Sequence, residues 1–226
     1  MSNVSVDWVG NSVAARQQPK HGLKLALFIL AETILAAIIG TAFWYQDWRY
    51  SLPTPKPASW KAPSVGSNLP LPASLAAAND HRPTVLNFFA SSCPCSRFNL
   101  EHVRKLAKQF GSQARMVLVF EGGSQTEEES AFRNLDLDIE PAYDPEGRIA
   151  KQYGVYATPQ AVVLDSNQRL VYRGNYNVGR FCSDARTEFV RLTLDSLLAG
   201  QSLPALVTKA IPSYGCAISA FKGDRS

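Results

Sequence analysis

The chain has 226 residues, 46% of them hydrophobic and 19% charged, with a formal net charge of +4. This is the composition of a folded protein and excludes disorder as the main state; the length suits one ordinary domain with additions, or two small ones. Fourteen glycines and fourteen prolines without a period exclude collagen-like and solenoid architectures. With so slight a basic excess and no dense basic run, no nucleic-acid partner is expected.

Residues 1–24 are polar and mixed. Residues 25–45, LALFILAETILAAIIGTAFWY, carry one charge, Glu32. A helix crosses a bilayer core with about 20 residues. The Leu, Ile and Phe residues of this run favour insertion by about 3 to 6 kcal/mol, against a cost of about 2.5 to 3.5 kcal/mol for a central acid. The balance predicts a transmembrane helix over 25–45. Phe43, Trp44, Tyr45 and Trp48 supply an aromatic belt at its far end. Glu32 reads either as a tolerated acid or as a contact with a membrane partner. Arg16, Lys20 and Lys24 before the span are denser than Arg49, Lys56 and Lys61 after it, which favours the N-terminal end inside. Residues 46–72 form a Pro-rich linker, with six prolines in 51–72. Such a stretch is expected to be an extended spacer lifting the next domain off the membrane.

Globular texture runs over residues 73–200, followed by a C-terminal tail, 201–226. A short helix is expected at 73–79. Residues 84–90, TVLNFFA, and 115–121, RMVLVFE, read as buried strands. Residues 96–110 read as a helix, with Leu100, Val103, Leu106, Ala107 and Phe110 on one face and Gly111 ending it. Helices are expected at 124–135 and 145–153, a strand pair at 161–164 and 170–173, and an amphipathic helix at 185–199. Strands separated by helices require crossovers and a parallel core, and the hairpin adds an antiparallel edge. The predicted fold class is therefore α/β, a three-layer domain with a mixed central sheet behind one N-terminal transmembrane helix.

Cys93 and Cys95 fall in the turn between the first buried strand and its helix. A helix start carries partial positive charge and unpaired N–H groups, which favour thiolate over thiol. The thiolate is the species that attacks a disulfide, and a second cysteine can resolve the mixed product. Ala157-Thr158-Pro159 precedes another buried strand, where the proline is a candidate for a cis bond.

These residues carry a resemblance. Val85–Ser96, VLNFFASSCPCS, resembles the active-site strand and turn of the thioredoxin superfamily, and Asp144–Asp165, DPEGRIAKQYGVYATPQAVVLD, resembles its TlpA/ResA-like branch of membrane-anchored, extracytoplasmic thiol–disulfide oxidoreductases. The resemblance covers about residues 73–200. It implies a thioredoxin-like fold, Cys93 as nucleophile, Cys95 as resolving cysteine, and Thr158-Pro159 as the cis-proline wall whose backbone binds the substrate chain. It further implies protein thiols or disulfides as partners, a membrane electron donor, no cofactor, and a bacterial inner-membrane protein with its C-terminal domain in the periplasm. The sequence departs from the branch in having C-x-C for C-x-x-C, and Ser92 where many members have Trp. Asn87 stands where thioredoxin itself has a buried acid. Cysteines two apart lie near the limit for bridging, so an oxidase or isomerase role stands beside the reductase role, and so does the absence of a Cys93–Cys95 bond. The peroxiredoxin spacing of Pro and Thr before the cysteine is absent: Leu86 and Ala90 occupy those positions.

Cys182 and Cys216 read first as a structural disulfide tying the tail to the domain, a loop of about 35 residues contributing about 4 kcal/mol. The alternative is that one of them resolves or recharges Cys93. All four cysteines follow the apolar span, which supports an oxidising compartment for the domain. Two rival functions remain: a copper-carrying thioredoxin-fold metallochaperone, for which Cys93 and Cys95 would be the soft ligands and His81 and His102 are poorly placed, and a non-catalytic binding domain. Glu101 and the run Glu127-Glu128-Glu129 read as solvated helix surface, and no metal site is expected.

Overall fold

A computed structural model of the chain describes residues 21–76, 80–179, 184–208 and 212–221. The chain divides into two units, one ending at Gln46 and the other starting at Asp47. Helix α1, His21–Ser51, supplies the described part of the first. Its stretch Gly22–Gln46 has a mean hydropathy of 2.2 and is unburied, so it is long and apolar enough to cross a membrane.

The second unit is built on a five-stranded sheet in the order β3-β2-β1-β5-β6. Strands β1 (Thr84–Phe89), β2 (Arg115–Glu121) and β3 (Glu140–Asp144) run parallel; β5 (Gln160–Leu164) and β6 (Leu170–Gly174) are antiparallel. Every residue of β1 and β2 is buried, as expected of unbroken apolar runs covered on both faces. On one face Val85, Met116 and Val163 pack against α2 (Pro94–Phe110) and α5 (Phe189–Leu198). On the other, Leu86, Val117 and Val162 pack against α4 (Arg148–Tyr153). Helix α3 (Gln125–Arg133) follows β2, started by a capping box between Ser124 and Glu127. This is a thioredoxin-like fold. The expected strand pair and helices hold to within a few residues, with part of 185–199 formed as a 3-10 turn at Ala185–Thr187. The helix expected at 73–79 is a 3-10 turn, Ala73–Leu75, and residues 77–79 lie outside the described residues. Strand β3 falls where no element was expected, its alternation being obscured by Pro141.

The Pro-rich segment is not the free spacer the composition predicts. It lies on the domain surface as an extended strap. Trp60 donates its indole N–H to Gly154 O at 2.8 Å, meets Tyr156 edge-on at 5.2 Å, and carries Lys56 and Arg173 against its ring. Gly66 N and Leu69 N donate to Leu170 O and Gln168 O, which pairs the strap with the β5–β6 turn. Prolines keep a chain extended, and aromatic side chains among them give it something to bury. Trp60→Ala is expected to cost about 2 kcal/mol in chemical denaturation, part of it from the Gly154 carbonyl left without its donor. A free spacer would show no change.

The tail is also part of the fold. Ile218 and Phe221 are 2% and 5% exposed and belong to the α4-side core. Phe221→Ala is expected to lower stability by about 3 kcal/mol, the usual cost of emptying a buried aromatic site, measurable as a reduced denaturation midpoint with unchanged slope.

Candidate active site

Cys93 caps α2 in an extended conformation, and Pro94 occupies the first helical turn, where its missing N–H costs nothing. The helix thus begins at Pro94, two residues before the sequence-based start, and Cys95 falls inside its first turn. Cys93 is 1% and Cys95 3% exposed. Cys93 N–H donates to Ala90 O at 3.0 Å, closing the turn that follows β1. The Thr158–Pro159 bond is cis, and Cys93 Sγ lies 3.5 Å from the Thr158 carbonyl oxygen. Strand, helix start and Thr158-Pro159 therefore meet at one sulfur.

Cys93 is disulfide-bonded to Cys216, with 6.0 Å between their Cα atoms and a sequence separation of 123. The expected Cys93–Cys95 bond is not the one formed. Helical geometry explains this: Cys95 sits a turn position along α2 from its cap and packs inward with Ala90 and Cys93. Nor is Cys216 tied to Cys182 as the structural reading supposed; it takes the alternative, a bond to Cys93, and Cys182 lies outside the described residues.

Cys216 reaches Cys93 because the tail forms a strand. Strand β7 (Cys216–Ala217) pairs antiparallel with β4 (Ala157–Thr158), placing Cys216 opposite Thr158. The strap holds the same strand: Thr54 N–H donates to Ser213 O at 2.7 Å and Thr54 Oγ1 to Gly215 O at 3.0 Å. Gly215 has φ +109°, and a methyl group there would overlap the Thr158 carbonyl oxygen, so only glycine lets the two backbones approach this closely.

Three buried polar residues lie on β1, β2 and α3. Asn87, 1% exposed, accepts from Tyr176 Oη at 2.7 Å and donates to Val117 O at 3.1 Å. Glu128 is a correction to the solvated-helix reading. It is buried, Ser91 Oγ donates to its Oε1 at 2.8 Å, and burial pushes its carboxyl above the usual range while the Ser91 hydroxyl pulls the other way. Glu127 is exposed as expected, and Glu129 is half-buried. At the end of β2, Glu121 is 4% exposed beside Asp144, and burial first and that carboxylate second raise its pKa to about 10. Sequence reasoning missed Glu121; the acid ending an otherwise apolar strand was its only signal. His102 meets the Tyr176 ring at 5.5 Å and His81 is exposed. Among the described residues no three His, Cys, Asp or Glu side chains gather to hold a metal ion.

A family profile described as a domain of unknown function, DUF6436, matches residues 64–217. The chain belongs to the DUF6436 family. The DUF6436 match starts within the strap and takes in Cys93, Cys95, Thr158, Pro159 and Cys216. Among curated proteins, none matches the sequence. Solved structures similar to this DUF6436 chain include an uncharacterized conserved protein from Geobacillus kaustophilus, 22% identical over 74% of this chain and 97% of that one, TM-score 0.56. A hypothetical protein from Sinorhizobium meliloti is 20% identical over 71% and 96% of the two chains, TM-score 0.55. These two superpositions agree with the fold read from the strand order. A Chlorobium tepidum protein assigned as a thiol:disulfide interchange protein DsbE is 18% identical over 52% and 81%, TM-score 0.45.

Proposed function

We propose that this chain is a thiol–disulfide oxidoreductase in which Cys93 is the nucleophile and Cys216 its disulfide partner. The observation that carries the reading is the Cys93–Cys216 bond, set at a helix start and against Thr158-Pro159. In the reduced form the Cys93 thiolate attacks a partner disulfide. One partner sulfur bonds to Cys93 and the other leaves with the electron pair. Cys216 then attacks Cys93 Sγ, the Cys93–Cys216 bond forms, and the partner departs with both its sulfurs reduced. The partner gains two electrons and the chain loses two. Thr158-Pro159 forms the wall along which a partner chain lies. Cys95, buried beside Cys93, is assigned no sulfur-exchange step.

Membrane anchoring through residues 25–45, the remaining N-terminal residues in the cytoplasm and the domain in the periplasm of a bacterial inner membrane belong to the same proposal. The apolar helix and the placement of all four cysteines after it support them. A membrane electron donor would restore the reduced pair.

The test is redox mapping of the full-length protein. It is equilibrated across glutathione ratios, its thiols are trapped, and its disulfides are mapped by peptide mass. A reversible Cys93–Cys216 bond is expected, lost in Cys93→Ser and in Cys216→Ser and kept in Cys95→Ser. A Cys93–Cys95 bond in the wild type, or a Cys93–Cys216 bond that glutathione never opens, overturns the assignment.

A further inference from the structure

The two sulfurs of the bond differ in access. Cys93 is 1% exposed, its Sγ lies against Thr158 O, and it packs with Ala90 and Cys95, 9% and 3% exposed. Cys216 is half-buried on a two-residue strand at the edge of β4. They also differ as leaving groups. A displaced Cys93 would be left at the N-terminal cap of the 17-residue helix α2, where backbone N–H groups and the helix dipole stabilise a thiolate. Cys216 instead opens the two-residue strand β7 directly after Gly215. Exchange is fastest when the attacked sulfur is accessible and the departing thiolate is stabilised. Both conditions select the same direction.

We propose that a thiol reducing this chain attacks Cys216 and not Cys93, so that Cys216 is the entry point for electrons and Cys93 the exit point toward disulfide partners. This rests on the oxidoreductase reading. The donor thiolate forms a bond to Cys216 Sγ as the Cys93–Cys216 bond breaks, and the electron pair goes to Cys93, which leaves as thiolate. A second donor thiolate attacks the donor sulfur of the mixed disulfide, and Cys216 departs and takes up a proton. The donor is oxidised by two electrons, and the chain holds a reduced pair.

The anchoring of the tail fits this traffic. Downstream of Cys216, Ile218 N–H donates to Tyr156 O at 3.2 Å, and Ile218 and Phe221 lie in the core. Upstream, residues 213–215 are held by Thr54 and by the isolated bridge between Pro53 and Tyr214. Once its sulfur is released, Cys216–Ala217 can lift from β4 between these two anchors, while 213–215 and 218–221 stay docked. The vacated edge of Ala157–Thr158 then lies beside an uncovered Cys93 thiolate, ready for an extended partner chain.

The experiment uses oxidised full-length protein, mixed rapidly with reduced glutathione, quenched within milliseconds with acid and N-ethylmaleimide, and mapped by peptide mass. Glutathione is expected on Cys216 at least tenfold more often than on Cys93, with Cys93 carrying the maleimide. Glutathione mainly on Cys93 overturns the entry assignment while leaving the oxidoreductase intact. No opening of the bond by any thiol overturns both. A Phe221→Ala variant, which loosens the tail without touching either sulfur, is expected to speed the first step several-fold; a rate unchanged by that loosening, with glutathione divided evenly between the two cysteines, also overturns it.

Discussion

Gly215→Ala is expected to destabilise the oxidised domain by about 4 kcal/mol. The position has φ +109°, a region that side chains with a Cβ rarely enter, and the added methyl would overlap Thr158 O and approach Pro159 Cδ at 3.1 Å. Backbone strain of this kind costs about 1 to 3 kcal/mol and overpacking about as much again. The strand opposite cannot yield, because Ala157 and Thr158 are 0% and 1% exposed. Strand β7 must therefore retreat, carrying Cys216 from Cys93. The same energy then appears in the redox equilibrium. At about 30 mV for 1.4 kcal/mol in a two-electron couple, the Cys93–Cys216 potential rises by roughly 85 mV, so the bond is reduced more easily. Denaturation and glutathione titration of the same variant read the two effects. Gly179→Ala serves as control, since a Cβ there meets nothing within 4 Å. Equal midpoints for Gly215→Ala and wild type would show that β7 is not held on β4.

Glu121→Gln is expected to stabilise the protein, increasingly so as pH rises. Burial and Asp144 lift the Glu121 pKa from 4.5 to about 10. Between those values the folded chain keeps a proton that the unfolded chain has released. The unfolded state binds fewer protons there, so stability falls with rising pH by as much as about 1.4 kcal/mol per unit. Glutamine keeps the shape and removes the titration. The variant and wild type are expected to match near pH 4 and to differ by about 5 kcal/mol near pH 8, in denaturant midpoints measured across that range. Parallel pH profiles for the two proteins would mean that Glu121 is ionised within the fold.

The central sheet was legible because β1 and β2 are unbroken apolar runs and α2 has a one-sided stripe, signals that depend only on near neighbours in sequence. Cys93 and Thr158-Pro159 were legible for a related reason: each sits at a junction of elements that the local pattern already defines. The partner of Cys93 was legible only as the second choice, that Cys182 or Cys216 resolves it. Spacing pointed to Cys95, two residues away, whereas the bond reaches Cys216 through a two-residue strand too short to show alternation and made possible by one glycine. The strap failed differently. Six prolines read as a spacer, and nothing local shows that Trp60 has the Gly154 carbonyl as acceptor and the Tyr156 ring as neighbour, each more than ninety residues on in sequence. Glu128 was misread because it sits in a run of three acids, and only the register of α3 turns it, and not the exposed Glu127, toward Ser91.

The strap has one more consequence, for how the folded unit can be cut. Thr54 supports Ser213 and Gly215, the two residues that carry the tail strand toward Cys93. A soluble fragment begun at residue 73, where the globular texture starts, would lose these hydrogen bonds along with the Trp60 contacts. Its cysteine bond would be held by fewer ties, and its measured potential would belong to the fragment. A fragment begun ahead of Pro53 keeps them, and comparing the two separates the chemistry of the cysteines from the grip of the chain around them.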